Sequence, residues 1–208
     1  MHESDCRGRG RGPSLFLILA AVAAFGGAAA AAPPPQAAAS TPQASAAAPQ
    51  RWTLVRAVLT YHATDALHPV TGISKAARGQ GNCLNGTCSF LAAAPVKSFA
   101  SGDTNRDLHM LQSVRGGQFP LVTVRTTVAE SALHAGPLSA DLQVEFGGQT
   151  AHYKEVPFQI ANAGSALRLT GTIPAQLSDF NITPPEFLFV KIRNSIPVDV
   201  DMSWQLSH

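Results

Sequence analysis

The chain has 208 residues, of which 45% are hydrophobic and 13% charged, and its 15 Lys and Arg against 13 Asp and Glu leave a net charge of +2. A charge this small, with no basic patch and no interleaving of aromatic and basic residues, excludes nucleic acid as a partner and strong electrostatic steering as a mechanism. The seven histidines show no ligand spacing, so no metal and no cofactor are expected.

Residues 1–32 have the order of a secretory signal peptide: Arg7, Arg9 and Arg11, then the apolar run Leu15 to Phe25, then small residues from Ala28 to Ala32 that suit cleavage. The competing reading is an uncleaved anchor, because Leu15 to Ala32 approaches the ~20 residues of a membrane span. Cys6 precedes the apolar run, so it is not a lipid-carrying cysteine at the cleavage point. Residues 33–50 are Ala, Pro, Gln, Ser and Thr without charge. They have little to bury against their ordering entropy and read as a disordered tether. One domain, residues 51–208, follows and is large enough for a real core.

Trp52, Leu54 and Val58 suggest a first strand, and Val70 to Lys75 a shorter one. Asn85-Gly86 is a two-residue hairpin turn that places Cys83 opposite Cys88 as a non-hydrogen-bonded pair, with Cα atoms ~4.5 Å apart. A disulfide is expected there in an oxidising compartment. Phe90 to Ser98 is a further strand. The spacing then changes. Thr104 reads as a helix cap with Asp107 reaching back to it, Leu108, Leu111 and Val114 share one helical face, and Gly116-Gly117 and Pro120 end the helix.

Alternation resumes at Val122, Val124 and Val128. Leu138 to Phe146 alternates without a fault, and Gly147-Gly148 turns the chain into Val156, Phe158 and Ile160. Pro157 lacks a ladder donor, which makes that strand an edge or bulged there. Leu167, Leu169 and Ile173 follow, then a short turn around Ala175 to Phe180. Leu188, Val190 and Ile192 lead on to Ile196, Val198, Val200, Met202 and Trp204. The total is seven or eight antiparallel strands, which a sandwich and a closed barrel both satisfy.

The run Val96-Lys97-Ser98-Phe99-Ala100-Ser101-Gly102-Asp103-Thr104-Asn105-Arg106-Asp107-Leu108-His109-Met110, with Phe119-Pro120-Leu121-Val122-Thr123-Val124 after it, resembles the YceI-like family, also called the polyisoprenoid-binding, lipocalin-like family. Tyr61-His62, Leu67-His68-Pro69-Val70-Thr71-Gly72, Leu177 to Ile182 and Val190-Lys191-Ile192 are similar to its other strands in the expected order. Ala100 stands where that family often has an acidic residue and Asp103 where it often has Asn. The Cys83 and Cys88 hairpin is outside its general pattern.

The resemblance implies a mainly β (α+β) fold, an antiparallel eight-stranded lipocalin-like barrel with one or two short helices. It implies a non-catalytic periplasmic or secreted protein that carries a long-chain isoprenoid, quinone or fatty-acid derivative in an apolar cavity. The candidates to line that cavity are Phe99, Met110, Leu111, Phe119, Val122, Val124, Leu142, Val144, Phe146, Val156, Phe158, Leu169, Phe180, Leu188 and Val190. Ser101, Thr104, Asn105, Arg106, Asp107 and His109 then read as the structural polar residues of the motif. Two alternatives stand beside this: an interaction module with a solid core, and a secreted enzyme using Arg106, Asp107 and His109. No membrane span is expected after signal cleavage, and a homodimer stays open.

Overall fold

The computed structural model describes residues 49–64, 69–163, 165–184, 186–187 and 190–207, and of 163, 186–187 and 190–191 the backbone alone. The signal peptide read at 1–32, the tether up to residue 48, His68 and Leu188 lie outside the described residues. So does the side chain of Val190. The chain runs β1 (Gln50–Thr64), β2 (Pro69–Ser74), β3 (Arg78–Leu84), β4 (Thr87–Pro95), α1 (Thr104–Ser113), β5 (Leu121–Ala129), β6 (Gly136–Phe146), β7 (Gln149–Ala163), β8 (Ala166–Ile173), β9 (Glu186–Phe187), β10 (Val190–Lys191) and β11 (Val198–Ser207). The first strand starts at Gln50, one residue earlier than the sequence suggests.

Of the two architectures open to alternation, the chain takes the barrel. Strands follow one another as β1-β3-β4-β5-β6-β7-β8-β11, and β11 pairs back onto β1. Closure rests on the length of β1. One edge pairs with β11 from Arg51 to Tyr61, and the other pairs first with β3 at Gln50 to Thr53 and then with β2 at Leu59 to Thr64. Thus β2 and β3 share one of the eight strand positions, interrupted at residues 75–77. Closing the sheet removes the open edges that a sandwich would keep. Of the run read from Leu188 to Ile192, the described residues Val190 and Lys191 form β10, which among the described residues pairs with β9 in a separate ladder and not with the barrel.

Two bulges adjust the alternation. In β1 the register slips between Leu54 and Arg56, so that Val55 has no partner and is 58% exposed. The extra residue turns the inward face from Trp52 and Leu54 to Ala57 and Leu59, and Val58 therefore does not continue the face of Leu54. In β7 the register slips opposite Asp141, where Glu155 adopts φ 51°. The Asp141 carboxylate accepts from the Glu155 backbone N–H at 2.9 Å and from Lys154 Nζ at 2.7 Å, which fixes the bulge. Pro157 lies two residues on, past the end of the β8 ladder at Phe158, where its missing N–H costs no bond to β8.

The Asn85-Gly86 turn has φ of 51° and 78°, both in the left-handed region that a type I′ turn requires. Cys83 and Cys88 face each other with Cα atoms 3.9 Å apart and form a buried disulfide. The strand β4 begins directly at this hairpin and stops at Pro95, where Val96–Ser98 forms a single 3-10 turn.

The helix α1 starts differently from the sequence expectation. Its cap is Asp103, whose carboxylate accepts from the Arg106 backbone N–H at 3.1 Å. A carboxylate at 103 caps as well as a hydroxyl at 104 and leaves Thr104 free to be helical. Asp107 does not reach back to Thr104; both its oxygens accept from the Ser101 backbone N–H, at 3.0 and 3.2 Å, and fold the loop against the helix. At the other end Arg115, not a glycine, takes the left-handed φ of 55°. Gly116 is needed for room, since a Cβ there would stand 2.7 Å from Leu111 Cδ2.

Candidate functional site

Chain direction fixes two ends for the barrel. The β1 terminus at Thr64, helix α1, the Gly147-Gly148 turn and the 3-10 turn Leu177–Phe180 share one end. The Cys83–Cys88 hairpin, the turn at Glu130–Ala132 and the last residues of β11 share the other. Inside runs a cavity of about 430 Å³, lined from every barrel position. An eight-stranded barrel is just wide enough for side chains to fill it, so a void needs small residues in the wall. Ala92, Ala94 and Ala140 supply them, with Ala63 and Ala77 on β1 and beside β2. The barrel interior thus holds a void in place of a fully packed core.

The floor at the hairpin end is aromatic. Phe90 and Trp204 meet edge to face with ring centroids 5.1 Å apart. They fit because Gly79 and Gly81 lack side chains: a Cβ at Gly79 would lie 2.6 Å from Trp204, and one at Gly81 2.4 Å from Phe90. Glycine within a strand marks such close approaches. Trp52 is buried close by, with its Nε1 unpartnered among the described residues.

Ten of the candidate lining residues face the cavity: Phe99, Met110, Val122, Val124, Leu142, Val144, Phe146, Phe158, Leu169 and Phe180. Three do not. Leu111 sits one position off the inward stripe of α1 and packs against Gly116. Phe119 stands over Gly148 in the β6–β7 turn, with the Arg115 guanidinium 5.3 Å from its ring centre. Val156 is buried in the wall beside the β7 bulge, outside the lining.

The expected helical face is also rotated. Leu108 is 53% exposed, and the residues of α1 that meet the cavity are Arg106, His109, Met110, Ser113 and Val114. Their spacing of three and four is a helical stripe, half polar, which a search for apolar periodicity overlooks. Leu59, Tyr61, Met202 and Trp204 also line the cavity. Alternation in the last strand puts Met202 and Trp204 on one face, while Leu59 and Tyr61 follow from alternation only once the Val55 bulge is known.

Of the motif residues, Ser101 and Asp107 hold the loop, Thr104 and Asn105 are exposed in the first turn, and Arg106 and His109 sit at the rim. No hydrogen bond joins Arg106, Asp107 and His109 among the described residues, so they do not form a connected catalytic set. Nor does any group of three His, Cys, Asp or Glu among the described residues come close enough to hold a metal ion. Beside them lies Tyr61, tilted against Phe99 with ring centroids 5.9 Å apart. Burial raises the phenol above its ordinary pKa, the Asp107 carboxylate adds to this and the Arg106 guanidinium opposes it. Tyr61 is therefore a protonated phenol at neutral pH.

Fold and site together define a closed antiparallel barrel around an apolar chamber, with a polar rim at one end. No family model matches the sequence, and no curated protein matches it either. Solved structures do share the fold. A polyisoprenoid binding domain from Saccharophagus degradans, implicated in plant cell wall breakdown, superposes with a TM-score of 0.61 at 12% identity, over 75% of this chain and 98% of that one. BcnA from Burkholderia cenocepacia superposes with a TM-score of 0.59 at 15% identity, over 71% of this chain and 95% of that one. The fold is the lipocalin-like, YceI-type barrel that the motif at Phe99 to His109 resembles.

Proposed function

We propose that this chain is an exported, non-catalytic lipid-binding protein that holds one long-chain apolar molecule inside its barrel. The observation that carries the reading is the cavity itself, a chamber of about 430 Å³ walled by Val, Leu, Ile, Ala, Phe and Met from every strand position. That volume lies within the usual range for small-molecule sites. Each methylene moved from water into such a chamber contributes ~0.8 kcal/mol, so a long tail binds with few polar contacts. The polyisoprenoid-binding domain of Saccharophagus degradans, which shares the fold, supports the same ligand class.

Export to the periplasm or the exterior is part of the proposal. It is supported by the basic-then-apolar order of residues 1–32 and by the Cys83–Cys88 disulfide, which suits an oxidising compartment. The test is organic extraction of protein purified from its native host, followed by mass spectrometry. One equivalent of a long-chain lipid is expected. Clean extracts from several preparations would contradict the reading.

A further inference from the structure

We infer that Arg106 receives the anionic head of a single-chain amphiphile whose tail fills the barrel, so the ligand is a long-chain carboxylate or a long-chain phosphate monoester. This rests on the lipid-binding reading and narrows it.

Seven lining residues carry a polar group: Tyr61, Arg106, His109, Ser113, Thr126, Gln176 and, through its indole N–H at the floor, Trp204. Two of the hydroxyls are already engaged, and one amide in part. The Ser113 hydroxyl donates to the His109 carbonyl at 2.8 Å, and the Thr126 hydroxyl donates to the Asp141 carbonyl at 2.8 Å. The Gln176 side-chain carbonyl accepts from Asn194 Nδ2 at 2.9 Å. Arg106, His109 and Tyr61 have no side-chain hydrogen bond among the described residues, and they stand with the Gln176 amide at the α1 end. Below them the wall is almost entirely hydrocarbon, apart from the engaged Thr126 hydroxyl and the Trp204 indole N–H at the floor.

Among the three, Arg106 carries the permanent charge. Its ion-pair partner among the described residues is Asp103, at 3.7 Å, beyond hydrogen-bonding distance. The nearer carboxylate in sequence, Asp107, is turned to the Ser101 backbone. The Arg106 side chain is thus 45% exposed at the rim, with its planar donor fork free of any bidentate partner among the described residues. Carboxylate and phosphate oxygens match that fork. The Tyr61 phenol, a donor at neutral pH, lies near enough for the Arg106 and Asp107 charges to act on it.

The chamber also sets the length of the tail. Taking a methylene group at about the ~30 Å³ that a water molecule occupies in the liquid, 430 Å³ holds a chain on the order of fourteen carbons. That volume suits a single acyl or alkyl chain.

The purified full chain is titrated with hexadecanoate, its methyl ester and hexadecyl phosphate, followed by calorimetry. The acid is expected to bind about tenfold or more tighter than the ester, as a charge-assisted hydrogen bond in a partly desolvated site allows. Arg106→Gln should reduce the acid-to-ester ratio to about one, and Arg106→Lys should keep part of it. Equal binding of acid and ester by the natural chain would overturn the proposal, as would a ratio unchanged by Arg106→Gln. Binding of neither would sink the lipid-binding reading and this proposal with it. Tighter binding of hexadecyl phosphate than of hexadecanoate assigns the head to the phosphate class, and the reverse order assigns it to the carboxylates.

Discussion

Ala94 is buried on β4 and faces the chamber, where its small side chain leaves space instead of filling it. Ala94→Phe should therefore enter an existing void without forcing its neighbours off their rotamers, unlike overpacking of a filled core. Binding of a fatty-acid probe should fall at least about tenfold by the loss of buried methylenes, while the melting temperature stays level or rises. Unchanged binding by a folded Ala94→Phe protein would place the ligand elsewhere. On the outer surface, Asp201 is bracketed by Arg168 at 2.9 Å and Arg56 at 2.9 Å. Arg168 foremost, then Arg56, holds its carboxyl down at about 2, below the usual ~3.9. A carboxyl depressed in the folded state stabilises fully above its unfolded pKa, and that stabilisation is lost as pH falls toward the folded value. The melting-temperature gap between the natural chain and Asp201→Asn should be present near neutral pH and close as pH falls from about 4 to about 2. A gap that persists at the acid end would count against the ion-pair assignment.

The strands place aromatic rings over glycines as direct cross-strand partners: Tyr61 over Gly72, Phe90 over Gly81 and Phe158 over Gly171. Gly81→Ala puts a Cβ 2.4 Å from the Phe90 ring, in the floor. It should destabilise by about 1–3 kcal/mol, read from chemical denaturation, as overpacking does. The hairpin disulfide closes a loop of only a few residues, so reduction should cost no more than ~2 kcal/mol, a fall of about 4–8 °C in melting temperature for a domain this size. Complete unfolding on reduction would show that the bridge supports more than its hairpin. These elements also show how far residue patterns carry. The faultless alternation of Leu138 to Phe146 translated directly into a half-buried strand, and Asn85-Gly86 into a hairpin with its register. The Val55 bulge could not be read, because nothing in Leu54-Val55-Arg56 distinguishes an inserted residue from a regular one. Asp103 and Thr104 are both good caps, and only the folded loop decides between them. Arg106 and His109 stand out in the sequence as motif residues, but their place in the cavity lining shows only once the barrel closes beneath the helix.

At the scale of the whole molecule, segregation is the main feature. Polar groups and solvent exposure collect at the α1 end, where Arg106, His109 and Gln176 are the exposed members of the lining. Trp204 and Phe90 close the far end. An amphiphile can satisfy both only by entering tail first. The barrel itself was half legible from the sequence, since alternation counts strands, but closure depends on the long pairing of β1 with β11, which no local pattern displays. The chain has two tryptophans, Trp52 and Trp204, and both lie towards the floor. Their fluorescence therefore reports where the end of a bound tail lies. The most direct test is to titrate the full chain with hexadecanoate brominated either at the carbon next to the carboxylate or at the terminal carbon. The terminal bromine should quench tryptophan emission strongly at one equivalent and the head-side bromine little. Stronger quenching by the head-side bromine, or none by either, would contradict a tail-inward occupant of the barrel.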